Sequence, residues 1–156
     1  IATHSAVFGN YETVRSTIGK SSWKWYWEVV LSVWAIQWVS NTSFVINNLT
    51  SQYVGITANG WGYFASDGSK VNNNSFAGYW ASYTTEVIWF ALDMDAGTLT
   101  AYKNNVSQWV MYTWLTGTLY PTSSLNNGST STVTANFWAT TMAYTAPIGC
   151  NQGLYN

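Results

Sequence analysis

The sequence predicts an all-β domain of the sandwich or barrel type, with little or no helix. Asn, Gly, Ser or Pro interrupts the chain about every 8 to 12 residues, which is the spacing of short strands joined by turns. Between these breaks apolar residues alternate with polar ones, and the period of an amphipathic helix is almost absent. The chain has 156 residues, the usual length of one domain, so we expect residues 1–156 to fold as a single unit.

Two segments carry the clearest strand patterns. In residues 23–33 (WKWYWEVVLSV) the tryptophans and aliphatic residues share one face, while Lys24 and Glu28 lie on the other, so this segment is a long half-buried strand. Residues 86–94 (EVIWFALDM) are apolar on both faces, which is typical of a central strand. We also expect a strand in residues 52–57 (QYVGIT), because β-branched and aromatic residues are frequent there.

A tight turn should follow the central strand. Residues 93–97 (DMDAG) predict a hairpin, because Asp caps its own backbone and Gly tolerates positive φ. The strand leaving this turn, residues 98–103, should pair with residues 86–94. Later strands are expected in residues 107–112, 119–125 and 130–137. Polar loops are expected in residues 72–75 and 123–131.

The composition favours a partner. Charged residues make up only 7% of the chain, against roughly 25% in an average soluble domain. Hydrophobic residues reach 47% and aromatic residues 18%, so the surface must be covered by amides, hydroxyls and rings. Such surfaces are typical of chains that pack against neighbours or sugars.

Several classes of function are disfavoured. The net charge is −1 and the five basic residues are scattered, so no basic stripe is available for nucleic acid. No apolar run approaches the roughly 18 residues of a membrane span, and no signal segment opens the chain. Cys150 is the only cysteine, which excludes an intrachain disulfide and a cysteine-rich zinc site.

The order of several segments resembles the SPRY family. These segments are VRSTIGKSSWKWYWEVVL, YVGIT, GWGYFASDGSK, EVIWFALDMDAGTLTAYKNN, LYPTSSL and VTANF. The resemblance covers about residues 8–137, and its most specific parts are the KWYWEV strand, the ALDMDAGTLTAYKN hairpin and the pair Tyr120 and Pro121. Residues 143–149 (AYTAPIG) further resemble the AYTPP-G tail of SPRY domains in bacteriophage virion proteins.

The resemblance implies a specific fold and mode of action. The fold is a bent sandwich of two antiparallel sheets, of the concanavalin-like jelly-roll type, with its core in about residues 8–137. Residues 138–156 would be a C-terminal tail that packs on the sandwich or leaves it. Members of the family bind partners through loops at one end of the sandwich and have no catalytic machinery, so we expect no enzyme activity, cofactor or metal ion. The ligand does not follow from the fold, because SPRY partners vary widely.

The chain departs from the family where Gly is common. Those positions hold Trp23, Trp89, Asn105, Trp109 and Trp138 here. Trp cannot adopt the positive φ of some such glycines without strain. Three explanations stay open: the rings form an assembly surface, they stack on sugars, or the residues given at these positions are not the true ones.

Loop aromatics are the candidate binding residues. Flat rings bury a large area at small entropic cost and can stack on a sugar or dock a protein. Any single ring more often fills the core, but 11 tryptophans exceed what one core needs. The candidates are Trp61, Tyr63, Trp80, Tyr83, Trp34, Trp38 and Trp109.

Catalytic chemistry has weak support in the sequence. Two carboxylates could serve glycoside hydrolysis, but nothing sets any two apart among Glu28, Asp67, Glu86, Asp93 and Asp95. Solvated or capping roles are favoured for all five. The Asp-x-Asp-x-Gly pattern of residues 93–97 lacks the downstream Glu of a calcium loop. His4 lies in the N-terminal arm, and Cys150 has no charged neighbour in the sequence to activate its thiol.

The sequence therefore favours a non-enzymatic structural and interaction module of a virion or surface filament, either a capsid decoration or a fibre component. Its partners would be copies of itself or other virion or filament proteins, in a virion or extracellular surface assembly. The alternative is a module that binds a host receptor or surface glycan, with Trp61, Tyr63, Trp80 and Tyr83 as its stacking platform. A glycoside hydrolase is the remote third hypothesis.

Overall fold

The structure is a computed structural model that describes residues 2–3, 11–31, 35–46, 52–126 and 132–154. Within these ranges the chain forms strands and no helix. The strands are β1 (Ala2–Thr3), β2 (Tyr11–Arg15), β3 (Lys24–Leu31), β4 (Ala35–Ser40), β5 (Gly60–Phe64), β6 (Ser69–Asn72), β7 (Ser75–Gly78), β8 (Val87–Asp93), β9 (Thr98–Lys103), β10 (Val106–Tyr112), β11 (Tyr120–Asn126), β12 (Thr132–Asn136) and β13 (Asn151–Gln152).

The strands form two sheets. The first has the order β1-β12-β3-β8-β9-β10, and β13 pairs with the start of β3. The second has the order β2-β11-β4-β5-β6-β7. All neighbours recorded within the described residues are antiparallel except β13 and β3, which run parallel. The predicted all-β fold with two antiparallel sheets is confirmed.

The strands β3 and β8 build the centre of the first sheet. Trp27 lies opposite Phe90 in their register, and the two rings stack with centroids 5.5 Å apart. The alternation predicted for β3 places Trp25, Trp27, Val29 and Leu31 in the core, where all four are buried. Burial of one such side chain contributes about 1.5–3 kcal/mol, so this face of β3 is a major source of stability.

The other face of β3 is also covered. The sequence predicts a polar, half-exposed face, but Tyr26 and Glu28 are buried. The C-terminal tail crosses this face: β13 pairs alongside Trp25 and Tyr26, and the N–H of Gly153 donates to the carbonyl oxygen of Tyr26 at 2.8 Å. The sequence favours a solvated or a capping role for Glu28, and the solvated role is wrong because strand periodicity does not show which distant segment covers a polar face.

Glu28 holds this tail in place. One carboxylate oxygen accepts the N–H of Ala143 at 2.8 Å, and the other accepts the N–H of Tyr144 at 2.8 Å. The hydroxyl of Tyr26 donates to the second oxygen as well. A buried carboxylate with three donors is fully paired, which offsets much of the cost of its burial.

The second sheet is centred on β4, whose six residues are all buried. Its neighbour β11 carries buried hydroxyls that bond across the sheet: Ser123 donates to Gln37 Oε1 at 2.7 Å, and Thr122 and Ser40 share a bond of 2.8 Å. The sequence predicts a polar loop at residues 123–131, but residues 123–126 belong to β11 and residues 127–131 lie outside the described residues. Polar composition misled the prediction because each hydroxyl finds a partner inside the fold.

The strand predicted at residues 52–57 is wrong. The chain turns there: the N–H of Ile56 donates to the carbonyl oxygen of Tyr53 at 3.1 Å, and Val54 is buried. The polar loop expected at residues 72–75 is instead the two-residue turn between β6 and β7, together with the last residue of β6 and the first of β7. The other strands expected from the pattern appear within one or two residues at β8, β9, β10, β11 and β12. The turn at residues 93–97 is confirmed, with Asp93 Oδ1 accepting the N–H groups of Asp95 and Ala96.

Candidate interaction surface

The strand β7 forms the outer edge of the second sheet. It is joined to β6 by a two-residue turn in which Asn73 and Asn74 have φ of 51° and 55°, the geometry of a type I′ hairpin. All four residues of β7 are exposed, and on its outer side no strand pairs with it among the described residues. The sequence SFAG contains neither a charge nor a proline, the usual features that protect an edge strand from pairing.

An aromatic cluster lies against this edge. Phe76 of β7 is 50% exposed, and its ring lies 5.2 Å from that of Phe64 and 6.3 Å from that of Tyr53. Tyr53 in turn contacts Tyr11 of β2 at 5.1 Å. We call Tyr11, Tyr53, Phe64 and Phe76 the Phe76 cluster. Its hydrophobic rings sit beside unpaired backbone groups, so this surface offers both apolar contact and main-chain hydrogen bonds.

Just after β7, Tyr79 joins the two sheets. Its hydroxyl donates to the carbonyl oxygen of Trp109 in β10 at 2.7 Å, and its ring meets that of Tyr63 edge-on at 5.2 Å. Lys70 of β6 crosses the same gap and donates to the carbonyl oxygen of Met111 at 2.9 Å. Burial raises the pKa of Tyr79 above its ordinary value, so its hydroxyl remains a donor even in alkaline solution. The outer strand of each sheet is therefore fixed to the other at this corner.

The sequence-predicted site residues do not form one platform. Tyr63 and Tyr83 are buried with their rings 4.7 Å apart, and the hydroxyl of Tyr83 donates to the carbonyl oxygen of Tyr63. Trp38 is buried in β4, and Trp61 is half-buried against the main core. These rings are core, the alternative that holds for most aromatics. The exposed candidates are Trp80 and Trp109, at 52% and 67%, and Trp34 lies outside the described residues.

The carboxylates considered for catalysis have structural partners. Glu86 forms an ion pair with Lys103 at 2.8 Å, and Asp93 forms one with Lys24 at 2.9 Å. Asp67 Oδ1 accepts the N–H of Ser69 at 2.9 Å, which is a capping role within its own turn. The bond from Lys103 is the largest of several interactions that lower the pKa of Glu86 to about 2. A general acid needs a raised pKa, so Glu86 is suited to an ion pair and not to proton donation at neutral pH.

The remaining reactive groups are few. Burial raises the pKa of the Cys150 thiol, which disfavours the reactive thiolate. His4 lies outside the described residues. Across the described ranges, no three His, Cys, Asp or Glu side chains come together as a possible metal site. The same ranges include no helix with the length and apolar character needed to cross a membrane.

The sequence also matches a known family. The family model described as SPRY domain matches residues 24–138, which is most of the chain. The chain belongs to the SPRY family. SPRY domains are commonly protein–protein interaction modules. No curated protein sequence matches the chain.

Solved structures with the same fold include other SPRY domains. The SPRY domain of human HERC1 is 19% identical with a TM-score of 0.71, and the match covers 85% of each chain. The PSpry domain of TRIM65 is 20% identical with a TM-score of 0.66, covering 79% of this chain and 67% of that one. Stonustoxin is 22% identical with a TM-score of 0.69, covering 82% of this chain but only 21% of the stonustoxin chain. Because all three sequence identities lie below 25%, the similarity to these structures shows a shared fold alone.

The β7 edge is the surface that sequence reasoning missed. The sequence predicts a polar loop around Asn73 and Asn74, although two such residues between short apolar segments are also a hairpin signal. The following SFAG segment is too short to show a period. Its position at the edge of a sheet depends on strand order, which the sequence does not display.

Proposed function

We propose that this SPRY domain is a non-enzymatic structural and interaction module of a virion or surface filament. It acts there as a capsid decoration or fibre component that assembles with further copies of itself. The observation that carries the proposal is the exposed and uncharged β7 strand next to the Phe76 cluster, whose outer side pairs with no strand of the described residues. Adding a strand to such an edge is a common way for a sheet to bind a polypeptide.

The geometry of the hairpin tells which groups face a partner. Ser75 pairs with Asn72 beside the two-residue turn, and pairs along the ladder alternate between hydrogen-bonded and non-hydrogen-bonded. Phe76 and Gly78 therefore direct their backbone N–H and C=O groups away from β6. An incoming strand would bond to these two residues and cover the ring of Phe76.

A second copy of the chain fits this edge. Two β7 strands related by a two-fold axis would pair antiparallel, which makes the interface self-complementary. The net charge of −1 gives little repulsion between copies, and β7 itself has no charge to oppose pairing. The low overall charge and the tail at residues 143–149, with its likeness to phage virion proteins, support a virion or extracellular surface assembly as the setting.

The experiment compares the mass of the chain by light scattering across a range of concentrations with that of Ala77→Lys. A lysine on β7 should oppose strand pairing, so we expect oligomers or filaments in the parent chain and monomers in the variant. Thr116→Lys places the same charge at an exposed site outside β7, next to Leu115, which bonds to Gly97 in the turn after β8, and should leave assembly unchanged. A parent chain that stays monomeric at high concentration, or equal assembly in both variants, refutes the proposal.

A receptor- or glycan-binding role is the second candidate, and the exposure of Trp80 favours it. Its backbone N–H donates to the carbonyl oxygen of Gly68 at 3.0 Å, which fixes the base of a ring that is 52% exposed. Such a ring can stack on a sugar. Titration with host polysaccharides should then change tryptophan fluorescence in the parent chain and not in Trp80→Ala. An unchanged signal in the parent chain counts against this role.

A further inference from the structure

Four tryptophans have a backbone conformation that favours glycine. Eight non-glycine residues in the described ranges have positive φ; four are asparagines, the residue type besides glycine that visits this region most readily. The other four are all tryptophan: Trp23 (66°), Trp109 (65°), Trp114 (63°) and Trp138 (79°). A bulky side chain with positive φ is a genuine outlier, and here the outliers belong to one residue type.

Hydrogen bonds fix the conformation at Trp23. Its N–H donates to Asp95 Oδ1 at 2.9 Å, and its carbonyl oxygen accepts the N–H of Met94 at 2.9 Å. Both partners lie in the turn between β8 and β9. The backbone at this position is therefore held from both sides by a turn whose own sequence predicts it, and the left-handed φ follows from that geometry.

Trp109 lies at an irregularity in β10. The pairing with β9 shifts register between Ser107 and Val110, so the strand bulges at this point. The N–H of Trp109 donates to Ser107 Oγ at 3.1 Å, and its carbonyl oxygen accepts the hydroxyl of Tyr79. Bulges with a residue in the left-handed region usually place glycine there, because a Cβ is strained in that conformation.

The other two positions are also fixed by their neighbours. Trp138 follows β12, and its N–H donates to Asn136 Oδ1 at 3.1 Å. Trp114 precedes Leu115, whose N–H donates to the carbonyl oxygen of Gly97 at 2.9 Å and ties the segment to the turn after β8. At each site the surrounding chain determines the backbone, and the tryptophan has to conform to it.

Packing of the rings does not explain the strain. The four side chains are 61%, 67%, 90% and 51% exposed, in chain order, so each leaves at least half of its surface in solvent. The ring of Trp23 stacks on that of Trp25 with centroids 6.4 Å apart, a contact on its exposed side that does not require positive φ. Trp25 differs in every respect: it is buried, its φ is not positive, and its indole N–H donates to the carbonyl oxygen of Ser22. Trp27 is likewise buried and stacks on Phe90. The four positive-φ tryptophans therefore differ from these two core tryptophans in both backbone and burial.

Trp89 also stands where the SPRY family commonly has glycine, but it differs from the four. It lies within β8, is buried, and does not have positive φ. Its indole N–H has no acceptor within the described residues, and its ring centroid lies only 3.3 Å from that of Tyr102. Backbone geometry does not require glycine there, so the inference below is restricted to the four.

We infer that glycine occupies positions 23, 109, 114 and 138 in the protein as its own host makes it, and that the four codons are UGA. Genetic codes differ in whether UGA means stop, tryptophan or glycine, and UGA differs from the glycine codon GGA by one base. A reading of UGA as tryptophan would convert these glycines, and no other residue type, into tryptophan. The gene would then belong to a genome, or to a virus of a host, that decodes UGA as glycine.

This inference is independent of the proposed function. The β7 edge and the Phe76 cluster contain none of the four positions. It selects one of the three explanations for the unusual tryptophans, namely that the residues given at these positions are not the true ones. At these four sites the rings then form neither an assembly surface nor a sugar-binding platform. The exposed aromatic surface of the natural protein is correspondingly smaller and is centred on β7.

The gene sequence tests the inference together with peptide masses of the protein from its natural source. We expect UGA at the four positions and UGG at Trp25 and Trp27, and peptides that carry glycine at the four sites. A UGG codon at any of the four positions, or a peptide mass that corresponds to tryptophan there, overturns it. UGA at Trp25 and Trp27 with tryptophan in the peptides would overturn it equally, because UGA would then mean tryptophan in this host.

A recombinant comparison adds a physical readout. The chain with all four tryptophans should unfold at a lower temperature than the variant with glycine at all four positions. The matched control with alanine at all four positions removes the rings but keeps a Cβ, so it should not reach the glycine variant. Equal melting temperatures for the glycine and alanine variants would show that the backbone does not require glycine, and would overturn the inference.

Discussion

Replacing Glu28 by glutamine tests how the C-terminal tail is held. The carboxylate accepts three hydrogen bonds, and the oxygen that accepts the N–H of Ala143 would become an NH₂ group in Glu28→Gln. Two donors would then face each other at a buried site. The oxygen that serves Tyr26 and Tyr144 would be retained, but without its negative charge.

The magnitude follows from the bonds lost. A hydrogen bond to a charged group contributes about 1.5–3 kcal/mol, so losing one such bond should lower the free energy of unfolding by about 2 kcal/mol. In a domain of this length 1 kcal/mol shifts the melting temperature by about 2–4 °C, which predicts a decrease of about 4–8 °C. The amide hydrogens of Ala143 and Tyr144 should also exchange faster, since their acceptor is weakened or lost.

Urea unfolding followed by tryptophan fluorescence gives the free energy, and hydrogen exchange gives the local effect. Asp95→Asn is the matched control, because it makes the same chemical change at an exposed carboxylate that accepts a single N–H. We expect that control to lose less than about 1 kcal/mol. An unchanged free energy in Glu28→Gln, or equal losses in the two variants, would refute the role assigned to Glu28.

Three further predictions concern single contacts. The pKa of Glu86 in the folded state is lowered from 4.5 to about 2, so its contribution to stability is present above pH 4.5 and is lost as the pH falls towards 2. Glu86→Gln should abolish this part of the acid sensitivity, measured by urea titrations at several pH values. Trp114→Gly should raise the free energy of unfolding by about 1–2 kcal/mol, whereas Trp114→Ala should not, because alanine keeps the strained Cβ. Tyr79→Phe should cost about 1 kcal/mol in thermal unfolding, since the carbonyl oxygen of Trp109 loses its donor; no change would show that water replaces the hydroxyl.

The sequence predicted those elements whose pattern is long and local. The face of β3 with Trp25, Trp27, Val29 and Leu31 is buried as the alternation indicates, and the Asp and Gly of residues 93–97 form the turn that their chemistry favours. The segment at residues 52–57 shows the opposite case. Its composition favours a strand, but the chain turns there and buries Val54 instead.

The candidate binding residues also include features that the sequence predicts and features that it does not. Among the aromatic candidates the sequence does not distinguish exposed rings from buried ones. Tyr63 and Tyr83 pack against each other inside the sandwich, whereas Phe76, which was not a candidate, lies on the surface. Burial of a ring depends on which strands are neighbours, and that order is set by long-range pairing.

The sequence by itself determined the all-β class, the principal hairpin, the SPRY resemblance and the presence of tryptophan at positions where glycine is common. Each of these depends only on a local pattern or on the type of residue. Only the tertiary structure decided that β7 is the outer strand of its sheet among the described residues, that Glu28 holds the tail, and that four tryptophans have a glycine-like backbone. These features join residues far apart in the chain or depend on dihedral angles. Their physical origin is the pairing of distant strands, which fixes both the exposed surfaces and the backbone of the turns between them.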